Sequence, residues 1–130
     1  MFEQAHTFSG ISVDDIDAAK RFYGETLGLP YTEVMGGLQV QLPDGAQLWV
    51  YSKPDHQPAT FTVLNFAVAD IDATVDALNA AGVVTKIYDD PSLPTDERGI
   101  ARGRRAGFGP DIAWFRDPAG NVLAVLDEAR

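Results

Sequence analysis

Apolar positions recur along the chain with two periods, and each change of period marks an element. Thr7 to Val13 is a strand-like run. From there Ile16, Ala19, Phe22, Tyr23 and Leu27 follow helical spacing, with Asp17, Lys20, Arg21 and Glu25 on the water-facing side. Asp14 and Asp15 supply N-cap candidates, Gly28 a C′ residue, and Pro30 a stop. Tyr31 to Val34, Leu38 to Leu42 and Ala46 to Tyr51 predict three strands, with a turn at Gly36-Gly37. Lys53 to Ala59 holds two prolines and His56, the composition of a connector in which the imidazole is expected to be solvated. The order then repeats. Thr60 to Val68 predicts a strand, and Asp70 caps a helix carrying Ile71, Val75 and Leu78 that Gly82 ends. Val83 to Tyr88, Ile112 to Arg116 and Asn121 to Leu126 predict three more strands.

The repeat is visible in the residues. Val13-Asp14-Asp15-Ile16-Asp17-Ala18-Ala19 matches Val68-Ala69-Asp70-Ile71-Asp72-Ala73-Thr74 at an offset of 55, and Gly45 to Tyr51 matches Gly120 to Leu126 at an offset of 75. The offsets differ by 20, so the second copy carries an insertion of that length before its last hairpin, and Asp89 to Gly109 is the candidate. Pro91, Pro94, Gly99, Gly103, Gly107 and Gly109 keep that segment from being regular throughout. A long loop of this kind is either a mobile flap over a cavity or a tolerated surface excursion, and Ile100 and Phe108 within it need something apolar to cover. Two separate cores in 130 residues would each be marginal. The expected organisation is therefore one domain: module 1 at 1–53, a connector at 54–59, and module 2 at 60–130 with its long loop at 89–109.

Composition narrows the function. Hydrophobic content of 45% and charged content of 22% are those of an ordinary globular protein, and no apolar run approaches the roughly 20 residues that cross a bilayer. With no membrane span and no basic-then-apolar start, a cytoplasmic location is expected. The chain has no cysteine, which removes disulfides, thiolate metal sites and cysteine nucleophiles. A net charge of −9 argues against nucleic acid as a partner. Ser9, Ser12 and Ser52 have no His–acid partners at a motif spacing, and no phosphate-binding glycine loop or nucleophile elbow occurs, so no catalytic residue is assigned.

Tandem β-α-β-β-β units, Phe22-Tyr23-Gly24-Glu25-Thr26-Leu27-Gly28-Leu29 closing the first helix, and Asp117-Pro118-Ala119-Gly120-Asn121 before the last strand resemble the vicinal oxygen chelate superfamily. That superfamily includes glyoxalase I, extradiol dioxygenases, fosfomycin-modifying enzymes and the bleomycin and mitomycin resistance proteins. The resemblance covers essentially the whole chain and implies an α+β fold in which βαβββ modules form curled mixed sheets around a cavity. The cavity is usually completed by the other module or by a second subunit, so a homodimer is expected.

Metal-dependent relatives place ligands five residues before the valine of the Val-x-Asp element and on the strand after the Asp-Pro-x-Gly-Asn turn. Those slots here hold Phe8, Val63, Trp49 and Ala124, none of which can coordinate a cation. His6, on the face of Phe8, is at most a lone ligand. The resemblance therefore implies a member with no metal and no cofactor. Phe8, Trp49 and Tyr51 are expected to line an aromatic pocket, with Trp114 on a neighbouring strand. Val63 and Asn65 share the equivalent face of the fifth strand, the amide of Asn65 orienting a polar group. Phe108 and Arg102 would reach the pocket from the long loop. Closest in character are the metal-free antibiotic-binding members, which implies sequestration of a flat aromatic or amphipathic small molecule. A metal-dependent glyoxalase or dioxygenase, or a metabolite-sensing accessory domain, is the alternative.

Overall fold

Asp15 starts the first helix as the sequence predicts: its Oδ1 accepts from the amides of Asp17 at 3.0 Å and Ala18 at 3.1 Å. This computed structural model describes residues 1–128, in two units divided between Pro58 and Ala59. The first contains β1 (Ser9–Val13), α1 (Ile16–Ala19), β2 (Tyr31–Val34), β3 (Gly37–Gln41) and β4 (Gln47–Ser52). Its sheet has the order β1-β4-β3-β2, with β1 parallel to β4 and the other pairs antiparallel. The second contains β5 (Thr62–Val68), α2 (Ile71–Ala80), β6 (Ile100–Ala101), α3 (Gly103–Ala106), β7 (Ile112–Arg116) and β8 (Val122–Asp127). Its order, β5-β8-β7-β6, repeats the first, again with one parallel pair. The fold is α+β, two βαβββ modules that each form a mixed four-stranded sheet.

The helix after β1 departs from its prediction. α1 continues from Lys20 to Thr26 as a π-helix, in which Leu27 N donates to Phe22 O at 2.8 Å. The wider turn buries two consecutive rings, Phe22 and Tyr23, packed edge to face at 5.1 Å. Together with Ile11, Val13, Leu38, Val40, Leu48 and Val50 they form the core of this unit. The intervening strand residues, Gly10, Ser12, Gln39, Trp49 and Tyr51, occupy the other, less covered face of the sheet.

Strand register confirms the duplication. β3 and β4 shifted by 75 positions become β7 and β8, and the pair Gly10↔Trp49 becomes Asn65↔Ala124 at offsets of 55 and 75. Ile100 pairs with Ala113 where Glu33 pairs with Leu38, an offset of 67 for the outer strand. The 20 additional residues are thus split, 12 before β6 and 8 after it.

That split corrects the expected strand at Val83 to Tyr88. The edge of β7 is taken by Ile100–Ala101 instead, and the earlier segment runs outside the sheet, held by side chains. Thr85, nearly fully buried, donates from Oγ1 to Arg98 O at 2.6 Å and accepts from Asn79 Nδ2 at 2.9 Å. Thr95 Oγ1 donates to Tyr88 O at 3.1 Å. The segment from 89 to 109 is accordingly not a bare loop: it contains β6 and α3 and folds back on the chain that precedes it.

The last hairpin explains its own motif. Asp117, 4% exposed, accepts through Oδ1 from the amides of Ala119 at 3.0 Å and Asn121 at 2.9 Å, and through Oδ2 from Asn121 Nδ2 at 2.9 Å. Gly120 turns the chain at φ 86°. The earlier copy has the same backbone bonds, Leu42 N to Ala46 O at 2.8 Å and Gly45 N to Leu42 O at 3.1 Å, but a leucine at the position of Asp117.

Candidate functional site

The two sheets differ at one cross-strand row. In the first, Gly10, Trp49 and Gln39 stand side by side; in the second, Asn65, Ala124 and Trp114 do. Trp49 fills its own face. A Cβ added to Gly37 would lie 2.5 Å from the indole Cη2, so the ring rests where Gly37 has no side chain. At the equivalent positions the second sheet exchanges large for small, with Ala124 for Trp49 and Ile112 for Gly37. Its aromatic group comes from Trp114, one strand nearer the edge, against which Tyr88 packs edge on at 5.2 Å.

A cavity of about 560 Å³ opens there. Ile112 and Trp114 of β7 form one side, and the lining continues through Leu93 and Pro94 before β6, Ala101 of β6, and Arg102, Ala106 and Phe108 after it. Phe108 is 92% exposed, so its ring stands at the rim. Three of the eight residues expected to bind ligand, Trp114, Phe108 and Arg102, therefore line one cavity. The other five do not line it. Phe8 precedes β1, more than half exposed, its ring 6.1 Å from that of His6. Trp49 and Tyr51 belong to β4 of the first sheet, so Trp114 is not on a strand neighbouring theirs. Asn65 is exposed on β5, and Val63 is the extra residue of a bulge between Thr62 and Leu64, which breaks the simple alternation expected for that strand.

The insertion is fastened by arginines whose partners no local pattern reveals. Arg102 donates to Asp72, Asp96 and Asp111, at 2.7, 3.2 and 3.2 Å, while Arg98 joins Asp72 and, at 2.7 Å, Asp76. Arg104 pairs with Asp127 at 2.8 Å. Asp72 is held below the ordinary aspartate value of 3.8 by hydrogen bonds from Arg102 and then Arg98. Burial pushes Asp96 up, but the amides of Ile100 and Arg98 and the charge of Arg102 outweigh it, leaving it lowered. The guanidinium of Arg102 is thus committed to carboxylates, four of which surround two arginines.

A lowered carboxylate stabilises the fold above its unfolded pKa and loses that contribution as pH falls through the folded value. Between pH 5 and 8 the fastening is therefore expected to be constant. Asp72 is half exposed, so salt is the effective lever. Protection factors of the amides at 92–110, taken relative to the intrinsic exchange rate at each pH, should fall in 1 M NaCl and stay flat across that pH range; the reverse pattern would contradict a fastening by these ion pairs.

Of the four expected metal slots, Trp49 and Ala124 stand at equivalent places in the two ladders, Phe8 precedes β1 and Val63 is the bulge residue; none of these side chains carries an atom that coordinates a cation. Among the described residues no three His, Asp or Glu side chains form a group able to hold a metal ion. His56 corrects its expectation. It is half-buried, its Nδ1 2.6 Å from Ser12 Oγ, rather than solvated in the connector.

Residues 4–125 match the Glyoxalase/Bleomycin resistance protein/Dioxygenase superfamily. The chain belongs to that superfamily. Superfamily structures share its fold at low identity. A putative glyoxalase family protein from Bacillus anthracis is 19% identical, with 99% of this chain and 100% of that one covered and a TM-score of 0.66. The fosfomycin resistance protein FosX from Listeria monocytogenes is 12% identical, with 96% and 93% covered and a TM-score of 0.68. Oxidase ChaP-H2 is 23% identical, with 96% and 95% covered and a TM-score of 0.65. No curated protein matches the sequence. Among the described residues no helix is long and apolar enough to cross a membrane.

Proposed function

We propose that this superfamily member binds a flat, apolar or amphipathic small molecule in the cavity beneath its insertion, without a metal, and acts by sequestering it. The observation that carries this reading is the cavity itself. Its volume lies within the range of about 300–1,000 Å³ typical of small-molecule sites, and its lining is mostly apolar with few polar groups. Trp114 and Phe108 offer ring faces for stacking, and the residues at the superfamily's ligand positions supply nothing that activates water. The named activities of structures with this fold, an oxidase and a fosfomycin resistance protein, differ too widely for the fold to choose among them. A homodimer belongs to the same proposal; a mass of 14.1 kDa by light scattering would remove it.

A thermal-shift screen of polycyclic natural products, beside divalent metals, tests the reading, because a ligand specific for the native state raises the melting temperature. For a compound found this way, Trp114→Ala is expected to weaken affinity by about 1–3 kcal/mol, roughly 5- to 150-fold, with the melting temperature of the free protein little changed. Unchanged affinity would place the ligand outside this cavity, and one divalent ion held tightly per chain would contradict the metal-free reading.

A further inference from the structure

We propose that Ser12 is a nucleophile with His56 as its general base, and that it accepts an acyl group from an aromatic ester laid against Trp49 and Tyr51. This site is in the first unit and does not rest on the cavity of the second. Strand register builds it. Gly10 and Ser12 of β1 stand opposite Trp49 and Tyr51 of β4, four residues forming a square on the less covered face of the sheet. Gly10 leaves a hollow in that square. A methyl group placed on it would meet Trp49 O at 3.8 Å, Trp49 Cδ1 at 3.9 Å and Tyr51 Cε1 at 4.0 Å, ordinary contact distances, so the space above Gly10 is open beside both rings. Gly10 is exposed and Tyr51 is 37% exposed, which leaves the approach to Ser12 open to solvent.

The base arrives from the connector. Lys53 N donates to Val13 O at 2.9 Å and His56 N to Lys53 O at 3.0 Å, a turn that folds the chain back after β4. It sets the imidazole Nδ1 2.6 Å from Ser12 Oγ, within the reach required of a nucleophile and its base. In the tautomer protonated on Nε2, Nδ1 accepts the hydroxyl proton. As Oγ bonds to the ester carbonyl carbon, that proton passes to Nδ1. The bond from carbon to the leaving aryloxide then breaks, and the aryloxide takes the proton from His56. Water hydrolyses acyl-Ser12 by the same proton path, returning serine and a carboxylic acid. No electron transfer is involved.

The test uses the full chain with p-nitrophenyl acetate and, separately, a fluorophosphonate. Peptide mapping is expected to find a single acetyl or phosphonyl group on Ser12, absent in Ser12→Ala. His56→Gln should slow labelling about 100-fold or more, the lower end of what a general base contributes. Imidazole added to His56→Gly should restore part of the rate, a readout that a purely structural hydrogen bond would not move. Trp49→Ala should raise KM for the aryl ester more than it lowers the saturating rate. Labelling spread over other residues, or labelling at the wild-type rate in Ser12→Ala or His56→Gln, would overturn the proposal. If His56→Gln fails to fold, Ser12→Ala and the site of labelling in the wild-type chain decide it.

Discussion

Gly99→Ala is expected to destabilise the protein by about 3 kcal/mol or more and to detach the insertion that walls the cavity. Gly99 has φ +87°, a left-handed conformation that costs a residue with a Cβ about 1–2 kcal/mol. Strain is the smaller part. A Cβ built there would stand 2.0 Å from the carbonyl oxygen of Thr85 and 2.8 Å from the Cα of Lys86, both backbone atoms without freedom to rotate aside. Relief requires the two chain segments to separate, and with them the bond from Thr85 Oγ1 to Arg98 O, which fixes the start of β6. Gly107→Ala isolates the strain. That residue has φ +78° and nothing within 4 Å of its built Cβ, so about 1 kcal/mol is expected. Urea unfolding of the two variants, with hydrogen exchange over residues 92–110, makes the comparison. Equal losses would show that the close approach at Gly99 contributes nothing.

The same crossing of chains shows where sequence reading stops. The elements whose signals are local were legible: both helix caps, the strands β1 to β5, β7 and β8, and the two hairpin turns. Val83 to Tyr88 has the composition of a strand, but whether it joins a sheet depends on competition for the edge of β7. That competition is settled by Gly99, the only kind of residue that fits against Thr85, and by the pairing of Ile100–Ala101. Alternation over a single segment contains no trace of it. The π-helical widening after Ala19 likewise answers to the burial of two adjacent rings, a tertiary demand that helical spacing does not express.

For the site, the contrast is between residue identity and residue company. Ala124 and Trp49 at the metal slots could be found by counting, and the ladders put them in equivalent places. The cavity could not, because it follows from the exchange of Trp49 and Gly37 in one sheet for Ala124 and Ile112 in the other. Only the register pairs these positions. The partners of Arg102 include Asp72, 30 residues away, and those of Ser12 include His56, 44 residues away, separations at which no motif spacing applies. From the sequence, Arg102 is expected to reach the pocket from the long loop. In the structure Arg98, Arg102 and Arg104 serve instead to bind the insertion to α2 and β8.

The hairpin motif that identifies the superfamily supports the other large prediction, that Asp117→Ala removes about 3 kcal/mol of stability and lowers the melting temperature by about 10 °C. A buried carboxylate accepting two amide bonds and one side-chain bond contributes through each of them, and hydrogen bonds to charged groups are worth about 1.5–3 kcal/mol apiece before non-additivity. Removing it also takes from Asn121, 3% exposed, the bond its Nδ2 makes to Asp117 Oδ2. Asp117→Asn preserves the shape and one acceptor oxygen, so it should lose less than the alanine variant. The first copy supplies the internal comparison. Leu42 stands where Asp117 does, and the turn is closed by backbone bonds plus a 3.3 Å contact from Ala46 N to the exposed Asp44. Asp44→Ala should therefore change stability by no more than about 0.5 kcal/mol. The difference between the copies follows from depth: Asp117 is buried with its partner Asn121, whereas Pro43 to Ala46 of the first turn lie at the surface. Chemical denaturation of Asp117→Ala, Asp117→Asn and Asp44→Ala should rank them in that order of damage. Equal effects from Asp117→Ala and Asp44→Ala would mean that the motif is maintained for something other than closing its turn.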